Sequence, residues 1–318
     1  MLARIAESLF WIGRYTERAD STARILDVHS RLILEDPWVD EETACRSLLR
    51  VMGTAAPEGP IGSAKVVELL GFDAASHSSV VGSLSAAREN ARGARETVSS
   101  EMWECLNATW VSLRRTGPGT HRREPHRFYR WVRERCSVLA GLTDSTMSRD
   151  ESWLFLVLGR SLERADMTTR MLRTHEAVGG NVPSWLTLLQ SCGAWESYVR
   201  TYRGSVTERF AIEFLLLDRL FPRSVFGSLT TAEECLRGLT IATGQSQTGR
   251  TGIDDDARRV VGRARTRLEF RRSEELVAEL PEVLSMVQQS CSAASEAVSN
   301  RYFRHAAAVT WAQGGVVA

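Results

Sequence analysis

A seventeen-residue segment recurs in this chain in altered form, and that recurrence constrains its fold more than any other feature. Residues 13–29 match residues 159–175 at an offset of 146, with ten of seventeen positions identical. The shared residues are Gly13/Gly159, Arg14/Arg160, Glu17/Glu163, Arg18/Arg164, Ala19/Ala165, Asp20/Asp166, Thr22/Thr168, Arg24/Arg170, Leu26/Leu172 and His29/His175. A second match follows in the same order: residues 79–93 against 224–238, offset 145, nine of fifteen identical. Pro37-Trp38 against Pro183-Ser184-Trp185 is a weaker third echo. Two matches at nearly one spacing leave little room for coincidence. The sequence reads as two fused halves, 1–146 and 147–318, each a repeat of the other.

The periodicity inside the repeats is helical. Ile5, Leu9, Ile12, Ala19, Ala23 and Leu26 fall on one side of a 3.6-residue wheel, with Arg14, Glu17, Arg18, Ser21 and Arg24 on the other. From Ser79 to Leu113 a second stripe runs through Val80, Leu84, Ala87, Ala91, Ala94, Val98, Met102 and Cys105. Unbroken, it predicts a helix longer than ~45 Å. Prolines number only 8, and five of them mark expected loops: Pro57 and Pro60, Pro118 and Pro125, then Pro183. The Gly-rich run 244–252 marks another loop. No segment alternates with period two. The expected fold is all-α, two duplicated bundles of long helices packed as one unit.

Packing alone would preserve apolar residues, yet the shared set is mostly charged: Arg14, Glu17, Arg18, Asp20 and Arg24 with their counterparts Arg160, Glu163, Arg164, Asp166 and Arg170. An isolated exposed ion pair contributes only ~0.3–0.5 kcal/mol, too little to preserve charge identity. Two readings stay open. The charges form a buried lattice of Arg–carboxylate forks between the halves, or they line an anion-binding or acid/base site. The second repeated segment is asymmetric. Its first copy carries Arg88, Glu89, Asn90 and Arg92, followed by Arg95 and Glu96; in the other copy Arg88 becomes Glu233 and Asn90 becomes Cys235. Either one polar site survives in the first half, or the second copy packs in a more apolar setting.

Several function classes are disfavoured. With 40 Lys+Arg against 39 Asp+Glu the net charge is +1, unlike a nucleic-acid binder. Lys65 is the only lysine, and no GxxxxGK[ST] surrounds it, so a P-loop nucleotide site is excluded. Cys45, Cys105, Cys136, Cys192, Cys235 and Cys291 form no CxxC pair and read as small buried residues of a reducing compartment. The N-terminal segment lacks a clean apolar core, and the longest apolar run, Trp153 to Leu158, is far from the ~20 residues that span a bilayer. The expectation is a cytoplasmic protein off the membrane. HExxH, GxSxG and GxGxxG are absent. His121 and His126 are badly spaced for one metal, and His29 and His175 each stand alone at a helix end. Glu17, Asp20, Glu163 and Asp166 are of the type found in di-metal bundles, but no Glu-x-x-His occurs and each has an arginine three or four residues away. Asp254-Asp255-Asp256 suits a helix N-terminus, where the dipole favours acids. No metal and no cofactor is expected.

Residues 1–20 resemble the opening of the bacterial alpha-E family. So do Ala87-Arg-Glu-Asn-Ala-Arg92, the stretch Glu101-Met-Trp103-Glu-Cys-Leu-Asn107, and Phe214 through Arg223 to Val225. The likeness covers essentially the whole chain; it departs at His77-Ser78, where Asn-Pro or similar would be expected. It implies an all-helical fold and no established activity. It also implies a setting, because such proteins are typically encoded beside, or fused to, a circularly permuted ATP-grasp protein and a transglutaminase-like peptidase. Two expectations follow. One is an accessory protein of such a peptide-ligating or peptide-modifying system, binding a partner or an anionic peptide through its Arg/Glu-rich faces. The other is an enzyme of the same system, acting on a peptide or amide through Glu17, Arg18, Glu101 and Asn107. The partner-binding candidates are the ten duplicated charges with Arg88, Glu89, Asn90, Arg92, Arg95, Glu101, Trp103, Asn107 and Arg223; no residue is assigned a catalytic role on motif grounds.

Overall fold

The apolar stripes of the sequence lie on helices. The computed structural model describes residues 1–35, 40–176, 184–204, 206–244 and 253–303, apart from the side chains of 32, 34, 35, 116–123 and 174–176. The order is α1 (Ala3–Glu35), α2 (Glu41–Met52), α3 (Ser63–Val66) running into a π-helical turn (Val67–Phe72), α4 (Val80–Gly93), α5 (Ser100–Arg123) and α6 (Pro125–Thr146). Then come α7 (Glu151–Glu176), α8 (Trp185–Ser191), α9 (Trp195–Tyr202), α10 (Glu208–Leu217), α11 (Val225–Ala242), α12 (Asp256–Glu269), α13 (Ser273–Ala278), α14 (Leu280–Val298) and a second π-helical turn (Ser299–Phe303). Among the described residues there is no strand, and the protein is all-α.

The helix expected from Ser79 to Leu113 is two helices. α4 stops at Gly93, and the Ala94 N–H makes its last bond to Asn90 O at 3.1 Å. Ser99 then opens α5 by accepting from Met102 N at 3.2 Å. Glycine propagates a helix poorly, and serine gains more as an N-cap than inside a helix. The intervening turn keeps Ala94 and Val98 buried. The stripe therefore continues through the break, and periodicity alone could not reveal it.

Packing is organised about α1 and α7. α1 packs on α4 and α6, α4 on α5 and α5 on α6; α7 packs on α11 and α14, α11 on α12 and α12 on α14. The two rings share the α1–α7 contact, where glycine is required on both sides. A Cβ on Gly13 would lie 2.0 Å from the Leu156 carbonyl oxygen, and one on Gly159 would lie 2.0 Å from that of Phe10. The two helices touch backbone to backbone.

That approach corrects the helical-wheel picture. The arc opposite the apolar stripe is buried, with Glu17 and Asp20 each 4% exposed and Glu163 1%. The turns leading into α4 and α11 are built alike. Ser79 Oγ donates to Asp73 O and Ser224 Oγ to Asp218 O, both at 2.5 Å. Each serine also caps its helix, accepting from Gly82 N or Gly227 N at 2.9 Å. The departure at His77-Ser78 leaves this turn intact. Within the acidic triplet, Asp255 caps α12 by accepting from Arg258 N at 3.1 Å, and Asp256 lies in the first turn. The six cysteines are unbridged, and all but Cys105 are buried.

Candidate functional site

The glycine contact brings the charges that follow it on each helix against the opposite helix. Glu163 accepts from Arg14 Nε at 2.5 Å and from Arg18 through Nε at 2.6 Å and Nη2 at 3.0 Å. Reciprocally, Glu17 accepts from Arg164 Nη2 at 2.7 Å. Arg18 Nη1 also donates to His77 O and Arg164 Nη1 to Pro222 O, both at 3.3 Å, tying the lattice to the two turns. Asp20 and Asp166 each hold the arginine one turn on, Arg24 at 3.0 Å and Arg170 at 2.8 Å.

Arg223 breaks the reciprocity. It reaches from the turn before α11 to both Glu17 (2.7 Å) and Asp20; the position at the same offset in the first half is Ser78. Burial alone would raise the Glu17 carboxyl, but the guanidinium groups of Arg164 and Arg223 outweigh it and hold it at about 2. Burial likewise opposes ionisation of Glu163, which Arg14 and Arg18 nonetheless hold below the usual carboxylate range. Arg164 is pushed down, by burial first, with Arg223 and Arg160 adding to it against Glu17. A carboxylate ionised this firmly is a poor general base near neutral pH, where a catalytic base needs a matching pKa.

A pocket of about 260 Å³ opens beside the lattice between α1, α6, α7 and the turn before α11. Arg24, Arg160, Arg164 and Arg223 line it against two carboxylates, Glu17 and Asp20. Arg160 is held loosely, by Asp144 at 3.4 Å. Asp20 Oδ1 is buried with no hydrogen-bond partner.

The remaining candidates form a separate group on α4 and α5. Asn107 accepts from Arg88 Nε and Nη2 at 3.3 and 3.2 Å. Arg88 lies over the rings of Trp103 (5.5 Å) and Trp110 (4.5 Å), and Arg95 over Trp103 at 5.5 Å. Glu89 pairs with Arg88 and with Arg92 (2.9 Å), and Asn90 spends its amide on Ala86 O at 2.8 Å. Glu101 is exposed at the start of α5. Among the described residues no hydrogen bond joins Glu17 or Arg18 to Glu101 or Asn107, so those four do not form one constellation.

Sequence reasoning missed Trp110 and Arg114, although Trp103, Asn107, Trp110 and Arg114 recur at helical spacing; Arg114 lies 5.0 Å from the Trp110 ring. It also missed Asp27, which joins His126 Nδ1 at 2.6 Å to Arg31 and Arg133 at 3.2 and 3.5 Å. His29 faces Cys45 Sγ at 3.7 Å, and burial pushes its imidazole down to about 4 against the opposing pull of Glu41. The side chains of His121 and His175, and Pro37-Trp38 and Pro183, lie outside the described residues. Among the described residues no three His, Cys, Asp or Glu side chains are grouped to hold a metal ion. No described helix is long and apolar enough to cross a membrane.

Comparison with known proteins places this geometry in a family. An uncharacterized protein of Mycobacterium bovis is 25% identical over 314 residues, covering 90% of this chain and 35% of the relative. Two uncharacterized proteins of Mycobacterium tuberculosis match over the same shares at 25% and 24%. The chain thus spans about a third of the length of the curated relatives it matches. No solved structure matches it. Residues 1–303 match the Alpha-E model, described as a predicted alpha-helical domain with a conserved ER motif. Glu17-Arg18 and Glu163-Arg164, the dipeptides that interlock α1 with α7, are Glu-Arg pairs of that kind. The chain belongs to the Alpha-E family.

Proposed function

We propose that this chain is an accessory, non-catalytic protein of a peptide-ligating or peptide-modifying system that includes a circularly permuted ATP-grasp protein and a transglutaminase-like protein. Its role is to hold an anionic peptide, or an acidic segment of one of those partners, in the pocket between α1, α6 and α7. The observation that carries this reading is the convergence of Arg24, Arg160, Arg164 and Arg223 on a pocket with only Glu17 and Asp20 to balance them. Guanidinium forks in a partly enclosed site suit carboxylate recognition. The lattice beneath holds Arg24, Arg164 and Arg223 in place before any ligand arrives, which lowers the cost of binding. Relatives in which a comparable unit makes up about a third of a longer chain suit a binding module within a larger system. The repeated segments at offsets of 145 and 146, with the reciprocal Arg18–Glu163 and Arg164–Glu17 contacts, support descent from two fused copies. A cytoplasmic site of action fits the unbridged cysteines.

The pocket also draws polar residues from both halves, as an enzyme acting on a peptide or amide would require. The low pKa of Glu17 and the double pairing of Asp20 weigh against acid/base work and favour binding. Calorimetric titration with tetraglutamate tests the proposal. Wild type should bind it; Arg160→Gln, which loses only the long contact to Asp144, should keep its melting temperature and bind at least about tenfold more weakly. Equal binding by the variant, or none by wild type, would refute the pocket. Co-purification of the chain with recombinant ATP-grasp and transglutaminase-like proteins from its own organism tests the setting.

A further inference from the structure

A larger cleft lies between α2, α7 and α14, away from the pocket above. It measures about 690 Å³ and is lined by Arg50, Val51, Asp166, Arg170, Arg173, Gln288, Gln289 and Ser292. That volume lies within the range of small-molecule sites, ~300–1,000 Å³. Its charge is uneven, with three guanidinium groups against one carboxylate. Asp166 is already engaged by Arg170 Nε at 2.8 Å, and the Val51 carbonyl by Arg170 Nη1 at 2.7 Å. Arg173 donates to Ser285 Oγ. The Arg50 side chain makes no hydrogen bond or ion pair among the described residues, although it sits in the last turn of a helix whose other arginine, Arg46, is paired with Glu42.

We propose that this cleft binds the phosphate group of a small phosphorylated molecule. Two of its three guanidinium charges lack a carboxylate in the lining, which matches the ≈ −1.5 to −2 charge of a phosphate monoester at neutral pH. Arg170 and Arg173 are three apart on α7 and so share a face; Arg50 approaches from the end of α2. Arginine forks pair well with phosphate oxygens. The cleft is much larger than a phosphate, and the rest of its lining is amide and hydroxyl. Gln288, Gln289 and Ser292 offer donors and acceptors to a hydroxyl-rich body. Among the described residues no aromatic ring lines the cleft to stack a nucleobase, which favours a sugar phosphate over a nucleotide.

The test is calorimetric titration of the full chain with glucose 6-phosphate, inorganic phosphate and glucose. Binding of glucose 6-phosphate with none of glucose is expected. Arg50→Gln changes an exposed side chain with no partner among the described residues and should weaken the phosphate ligand about tenfold or more without lowering the melting temperature. Arg173→Gln should do the same. Inorganic phosphate binding as tightly as the sugar phosphate would support the phosphate subsite and assign it to free phosphate. No heat from either phosphate, or Arg50→Gln binding as wild type, would overturn the proposal. Neither outcome bears on the tetraglutamate experiment, whose variant lies in the other pocket.

Discussion

Acid should unlock the helix pair, and one part of the loss can be assigned to a single residue. Glu17 is 4% exposed and held at about 2 by Arg164 and Arg223 against the cost of its burial. In the unfolded chain it titrates near its ordinary value of 4.5. A carboxylate depressed on folding stabilises the protein above its unfolded pKa and loses that contribution as the pH falls through the folded one. The difference corresponds to about 3 kcal/mol, at 1.36 kcal/mol per unit. The window lies between about pH 5 and pH 2. In Glu17→Gln that proton-linked part is missing. At pH 7 the variant should be less stable by ~3–5 kcal/mol, because Arg164 and Arg223 lose their shared carboxylate. As the pH drops to about 2, the gap between wild type and variant should narrow by about 3 kcal/mol. His29 also weakens the fold in acid. Its buried imidazole titrates at about 4, so stability falls between its unfolded value of 6.5 and that point. Both proteins share that loss, and it cancels in the comparison. Urea denaturation of the pair at several pH values measures the gap. A gap that stays constant between pH 5 and pH 2 would show that Glu17 is not held ionised by its arginines.

Gly159→Ala drives a Cβ to within 2.0 Å of the Phe10 carbonyl oxygen, so it should leave the protein insoluble or lower its melting temperature severely. Gly141→Ala adds a Cβ with nothing within 4 Å and should stabilise α6 by ~0.5–1 kcal/mol, seen as a small rise in the same melt. Arg92→Gln changes a side chain that is 67% exposed and pairs only with Glu89, so its unfolding free energy should stay within about ±0.5 kcal/mol of wild type.

The helical class was legible because long apolar stripes at helical spacing are a local signal. The identity of the interlocking charges was legible too, since Arg18, Glu163, Arg164 and Glu17 recur in the matched segments. Their burial was one of two readings that the sequence left open. A helical wheel assigns charge to solvent, and only the contact at Gly13 and Gly159 brings a second helix onto that arc. Arg223 was marked by its neighbourhood, but its bridge from Glu17 to Asp20 depends on where the turn before α11 packs. The break at Ala94 escaped notice because the buried stripe runs through it. Arg50 and Arg173 gave no signal, since their meeting depends on how α2 and α14 flank α7.

The central claim is that the Glu–Arg exchange is a structural clamp between α1 and α7. A double-mutant cycle on Arg18→Met and Glu163→Met, read as unfolding free energies, tests it most directly. Glu163→Met strands two guanidinium groups, whereas the double variant removes one of them and refills the space with apolar atoms. The prediction is a coupling of about 1–3 kcal/mol, with the double variant more stable than the sum of the single changes allows. Single effects that add to within about 0.5 kcal/mol would contradict the clamp.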